Sequence, residues 1–266
     1  MKIIISVLVM VLFISGCNSD SFLEKIGFKE KVTTIIQKRN ELVYIPNSEE
    51  PFTGKYQTYF PNGQKESEIS FKEGKENGLS VWWYENGEKA VNTRYKDGKR
   101  NGITTEWSQA GAKESEINFE DDKANGLTTR WYPSGNKESE INYKDDNQNG
   151  LATQWYENGT KESEITFKEG KENGLATRWY ESGVKESETS YLDGKKNGLA
   201  TEWYEDGSKE SDITYVDDQK NGLATEWQED GRKESEIFYK NGEKGSQINY
   251  GIEDDHKFSG HPDFGV

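Results

Sequence analysis

The sequence predicts an all-β protein, an elongated open antiparallel meander built from β-hairpin repeats. Three observations predict it. The pattern Asn-Gly-apolar returns every 24 residues without insertion, at Asn77, Asn101, Asn125, Asn149, Asn173, Asn197 and Asn221. Tryptophan keeps one register against it, at Trp83, Trp107, Trp131, Trp155, Trp179, Trp203 and Trp227, with Tyr59 in a degenerate first copy that opens Thr53-Gly54-Lys55. Finally, 31% of the residues are hydrophobic and 12% are aromatic. That is too little aliphatic mass for one thick core and too much aromatic mass for a disordered chain, a balance that an array of thin repeats meets.

Each unit reads as two strands. In "NGLATEWY", Leu199, Thr201 and Trp203 alternate with Ala200, Glu202 and Tyr204. In "KESDITY", Lys209, Ser211, Ile213 and Tyr215 alternate with Glu210, Asp212 and Thr214. Period-two alternation marks half-buried strands. Parity chooses the turn: a three-residue loop, Glu205-Asp206-Gly207, sets Leu199 opposite Ile213 and Thr201 opposite Ser211, whereas a two-residue turn mixes the faces. The last residue of such a loop is left-handed, and all eight units carry glycine there, from Gly63 to Gly231. The connection to the next unit has Gly or Asp at its matching place, such as Gly194 and Asp218, residues that tolerate the left-handed region. Sixteen strands then cover residues 54–245.

The flanks divide as residues 1–16, 17–31, 32–53 and 246–266. "KVTTIIQKRNELVYIPN" reads as a capping hairpin that turns near Arg39-Asn40 and covers an edge strand. "DSFLEKIGFKEK" reads as a short helix or a tether, and the tail from Gly251 has lost the period. At the start, "MKIIISVLVMVLFISGC" has Lys2, an apolar run from Ile3 to Ile14, and small residues before Cys17, the one cysteine. The run is too short to span a bilayer and suits a signal-peptide core. It resembles the lipobox of bacterial lipoproteins. The resemblance implies cleavage before Cys17, a diacylglycerol on its thiol and an acylated amine, enough chains for stable anchoring. The expected location is the cell envelope, lipid-anchored, on the outer membrane or cell surface where there are two membranes.

"NGLATEWYEDGSKESDITY" followed by an Asp-Gly or Asp-Asp turn is similar to the MORN repeat, in the bacterial variant found in the YwqK-like antitoxin-component family. "EEPFTGKYQTYFPNGQKESEISFKEGKENG" resembles the way such arrays open. The resemblance covers about three quarters of the chain and implies an elongated single-sheet array used for binding.

No catalytic, cofactor or metal site is expected. A formal charge of -15 repels nucleic acid and anionic lipid surfaces, so neither is an expected partner. His256 and His261 lie beside Asp254 and Asp255 in the tail, which reads as solvated. "DDNQNG" from Asp145 resembles the opening of a calcium loop, but the twelfth position is Tyr156 rather than Glu, so it reads as a turn. The "KESE" motif sets two carboxylates on one face, as at Glu114 and Glu116. Repetition along an open sheet makes these a solubilising ladder rather than an acid-base pair.

The candidate binding face is an aromatic ladder of Tyr84, Tyr132, Tyr156, Tyr180 and Tyr204, a surface for partner recognition or a packing row. Beside it runs a variable position, which includes Trp82, Arg130 and Arg178. The expected protein is a membrane-tethered, non-enzymatic scaffold for an unidentified protein partner. Cell-wall or carbohydrate binding, and inhibition of a toxin, are the alternatives.

Overall fold

The hairpin loop explains most of the architecture. The computed structural model describes residues 35–250. In the seventh unit Gly207 N donates to Tyr204 O at 2.9 Å, and Tyr204 N donates to Ser208 O at 2.9 Å. The loop is Glu205-Asp206-Gly207, and Gly207 sits at φ +87°, where a side chain would be strained. The same glycine in all eight units lies between +80° and +91°.

These loops alternate with two-residue turns to give twenty strands. A small hairpin comes first: β1 (Gln37–Arg39) and β2 (Leu42–Tyr44). The array opens with β3 (Gly54–Tyr59), β4 (Lys65–Lys72), the short β5 (Lys75–Glu76), β6 (Gly78–Trp83) and β7 (Lys89–Lys96). It continues through β8 (Lys99–Trp107), β9 (Lys113–Glu120), β10 (Lys123–Trp131), β11 (Lys137–Lys144), β12 (Asn147–Trp155) and β13 (Lys161–Lys168). Then come β14 (Lys171–Trp179), β15 (Lys185–Leu192), β16 (Lys195–Trp203), β17 (Lys209–Val216), β18 (Gln219–Trp227), β19 (Lys233–Lys240) and β20 (Glu243–Asn249). Each strand from β3 onward pairs antiparallel with its sequence neighbours, except that β4 pairs with both β5 and β6, two pieces of one interrupted strand. At the ends, β3 joins β4 and β20 joins β19, with no ladder between β3 and β20. The sheet is an open meander. It reaches Asn249, past the boundary at Gly245 that the period suggests.

The register departs from the one parity predicts. Trp203 faces Lys209, but Glu202 faces Ser211, so Glu210 is an extra residue on β17. This bulge shifts every later partner by one: Thr201 faces Asp212, Ala200 faces Ile213 and Leu199 faces Thr214. The expected pairing of Leu199 with Ile213 therefore does not form. One face carries Ala200, Glu202, Ser211, Ile213 and Tyr215; the other carries Leu199, Thr201, Trp203 and Asp212. A bulge of this kind also increases the local twist.

The shift decides what is buried. On the first face Ala200 lies between Ile213 and Thr189 of the flanking strands and is 5% exposed. On the second, Thr201 is buried and Leu199 stands out of the sheet. Among the described residues six hydrophobic side chains are buried against seventeen polar ones, all serine or threonine. The core is therefore two thin layers of small side chains, one on each face of a single sheet. Such an array draws its stability from neighbour-to-neighbour contacts.

The two-residue connections are mirror-image turns with both central residues at positive φ, for example Asp217 at +48° and Asp218 at +67°. Their second residue also ties one unit to the previous one. Asp218 N donates to Lys196 O at 3.0 Å, and Asp218 Oδ1 accepts from Lys196 N at 2.8 Å. Asp122 and Asp146 accept from Arg100 N and Ala124 N in the same way.

The β1–β2 hairpin turns at Asn40-Glu41. It does not lie along β3. Val43 N donates to Gly74 O at 2.9 Å, and Gly74 N to Phe52 O at 2.8 Å. A side chain at Gly74 would meet Leu42 Cβ at 2.9 Å. The hairpin thus docks on the first two-residue turn, with Phe52 and Phe71 packed beside it at 5.9 Å.

Candidate functional site

Three rows of side chains run the length of the array. The first is the tyrosine ladder. Tyr84, Tyr132, Tyr156, Tyr180 and Tyr204 follow the tryptophan at each hairpin end and are half-buried. Each phenol donates to the backbone carbonyl of the next unit's tryptophan, from Tyr84 to Trp107 O through Tyr204 to Trp227 O, at 2.8–2.9 Å. Burial, then the neighbouring carboxylates, push the pKa of Tyr132, Tyr156, Tyr180 and Tyr204 above the ordinary phenol value, so the hydroxyls stay protonated. These hydroxyls are committed to stitching units together, so the ladder acts first as packing.

The variable position lies on the same face as Ala200. Where it can accept, a buried serine donates to it: Ser115 to Glu106, Ser163 to Gln154, Ser211 to Glu202 and Ser235 to Glu226, at 2.7–3.2 Å. Arg130 and Arg178 stand exposed in this row, and Trp82 is half-buried.

The second row is on the tryptophan face. Lys65 lies over Trp83 of the next unit, and the same lysine covers the next tryptophan through Lys209 over Trp227, with Nζ 5.0–5.9 Å from the ring centroid. In seven units this lysine also pairs with the carboxylate three residues on, as Lys137 does with Glu140 at 2.5 Å. The bulge parts the two carboxylates that the sequence set on one face. Glu116 pairs with Lys113, while Glu114 lines a recess with Glu106 and Ser115. Cation-π contacts and exposed ion pairs each contribute about 0.5–1 kcal/mol or less, so the row matters through repetition.

The third row is aliphatic, lies on the tryptophan face as the alternation predicts, and stands out of the sheet. Leu79, Ile103, Leu127, Leu151, Leu175, Leu199 and Leu223 are 40–51% exposed and recur two strands apart. At the ordinary strand spacing the ridge runs roughly 55–60 Å before twist is counted. Between its members lie polar residues: Arg94 after Leu79, then short ones such as Asn118, Asn142 and Thr166. Asn118 and Asn142 donate to the carbonyls of Leu127 and Leu151. The fixed Lys in every unit was a signal for the clamp; exposure of the leucines left no signal, because it follows from the bulge.

Among the described residues no helix is long and apolar enough to cross a membrane. Nor is any group of three or more His, Cys, Asp or Glu side chains placed to hold a metal ion. Cys17, His256 and His261 lie outside the described residues.

An open meander of hairpins repeated on one backbone plan, with rows rather than a cleft, defines a β-repeat protein of the solenoid kind. Its units match the model of the MORN repeat variant at residues 52–73, 124–145, 148–169, 172–193, 196–217 and 220–241. The chain is a protein of MORN-variant repeats. No curated protein matches it.

Proposed function

We propose that the protein is a non-enzymatic scaffold, anchored to the cell envelope through lipid on Cys17, that binds a protein partner along the aliphatic ridge. The ridge is the observation that carries this reading. Seven exposed aliphatic side chains at a fixed spacing along one line offer a partner regular apolar anchor points, and clustered exposed apolar surface marks contact sites. Short polar residues between the leucines suit the mixed character of protein interfaces. A rigid array also spares the ordering cost of a mobile surface. An inhibitor of a toxin, as the YwqK-like resemblance implies, is a special case in which the partner is the toxin.

The test is affinity capture from a native envelope extract with the wild-type chain and with Leu151→Asp/Leu175→Asp. One partner lost by the double variant, with its circular dichroism unchanged, supports the reading. Equal capture by both proteins removes the ridge from it.

A further inference from the structure

The tyrosine ladder has one interior gap. Its eight positions are Phe60, Tyr84, Ser108, Tyr132, Tyr156, Tyr180, Tyr204 and Gln228. Position 60 keeps a ring, and position 228 ends the row. At Ser108 the ring is missing inside the array. The Trp131 carbonyl occupies the place where Trp107, Trp155, Trp179, Trp203 and Trp227 each accept a phenol.

The gap is an open recess of about 330 Å³ that takes in Ser108, Trp131, Glu106, Glu114, Arg130 and Glu138. That volume falls at the small end of ligand sites, which start at roughly 300 Å³. The glutamates record what is missing. Glu162, Glu186 and Glu210 each have a ladder tyrosine in their own unit and in the one before, and all three are half-buried. Glu114 and Glu138 flank Ser108, and both are exposed.

We propose that this recess binds a phenol, the side chain of a tyrosine presented by a partner protein next to a basic residue. The repeat itself shows the fit, because five sister positions hold this group with its hydroxyl on the equivalent carbonyl. The walls are already in place, so entry costs little reorganisation. Tyrosine is also a common anchor of protein contacts. Three glutamates against Arg130 and Lys113 leave the rim acidic, which favours a cation beside the ring. The partner as the source of the phenol rests on the scaffold reading; the chemistry of the recess does not.

The test is titration of the full chain with tyrosinamide, a phenol with a cationic amine, followed by calorimetry and by the tryptophan side-chain resonances. The wild type should saturate at one equivalent. Phenylalaninamide, which lacks the hydroxyl, should bind on the order of fivefold more weakly. Ser108→Tyr fills the gap and should abolish binding. Tyr156→Ser opens an equivalent gap in the fifth unit and should add a second equivalent. No saturation by the wild type, binding retained in Ser108→Tyr, equal affinity for phenylalaninamide, or an unchanged stoichiometry in Tyr156→Ser would each overturn the proposal. Such a failure leaves the scaffold reading standing, since capture through the ridge is measured separately.

Discussion

The second and third units, residues 78–125, and the five that follow them have the same backbone and different side chains. In the later run the strands read Ala-Thr and Glu-Ser-Glu with little change, and the family model matches five consecutive segments. In the second unit Ser80 and Val81 replace the Ala-Thr pair, and Ala90-Val91-Asn92 replaces Glu-Ser-Glu. The matched segments pass over residues 74–123. Yet Trp82 faces Val91 and Trp83 faces Lys89, with the bulge at Ala90, as Glu202 faces Ser211 and Trp203 faces Lys209. The backbone is thus set by the loop glycines and the mirror-image turns, which both regions share. Side chains between those fixed points exchange freely, and there the array differs from unit to unit. Lys89 illustrates the point: it covers Trp107 at 5.8 Å, but Asn92 stands where other units carry the pairing carboxylate.

The largest expected effect is loss of a ladder ring in the regular run. Tyr156→Ser removes a half-buried ring and its bond to Trp179 O, and should cost roughly 2–3 kcal/mol. Ser108→Tyr should move the third unit the other way. Chemical denaturation of both variants measures the difference, and equal stabilities would deny the ladder its stitching role.

Turn glycines should not distinguish the regions. Gly159→Val in the later run and Gly87→Val in the second unit place a β-branched residue at φ +87° and +91°. Each should cost about 1–3 kcal/mol, with similar melting curves. A loss confined to one region would mean that the turns are not the common frame.

Ser80 sharpens the contrast in the stabilising direction. It is fully buried, and its hydroxyl has no hydrogen-bond partner, while Ala152, Ala176, Ala200 and Ala224 hold the matching place. Ser80→Ala should raise stability by about 1 kcal/mol, visible as a higher midpoint in urea.

The smallest effect concerns the first unit. Hydrogen bonds from Lys55 and Lys65 hold the Glu68 carboxyl down at about 2, against an ordinary 4.5. A depressed folded value stabilises above the unfolded one, so this contribution is complete above pH 4.5 and fades as the pH falls toward 2. The lysines are solvated, so the pair contributes no more than about 1 kcal/mol. Glu68→Gln should flatten the acid limb of the stability profile over that window, and an unchanged limb would count against the ion pair.

Period, loop length and strand order were legible because each has a residue signature: Asn-Gly, the loop glycine and tryptophan at fixed offsets. The bulge at Glu210 had none. The residues around it alternate as an ordinary strand would, so parity carried across it assigned the wrong partners to Leu199 and Thr201. That single shift hid the aliphatic ridge. The ladder tyrosines were found, but the sequence left open whether they recognise or pack, because their bonds run to backbone carbonyls 23 residues away. Asp218 looked like a residue tolerant of a turn; its bonds to Lys196 depend on how the turns stack.

Units that are interchangeable members of an open sheet should tolerate the loss of one. Deleting residues 150–173 tests this most directly, since Asn149 then joins Gly174 and the fourth unit meets the sixth through equivalent strands. Small-angle scattering should show a folded particle shorter by roughly 10 Å, two strand spacings, with the circular dichroism band shape retained and only part of the stability lost. A collapsed or aggregated product, or an unchanged maximum dimension, would contradict the open meander of exchangeable hairpins.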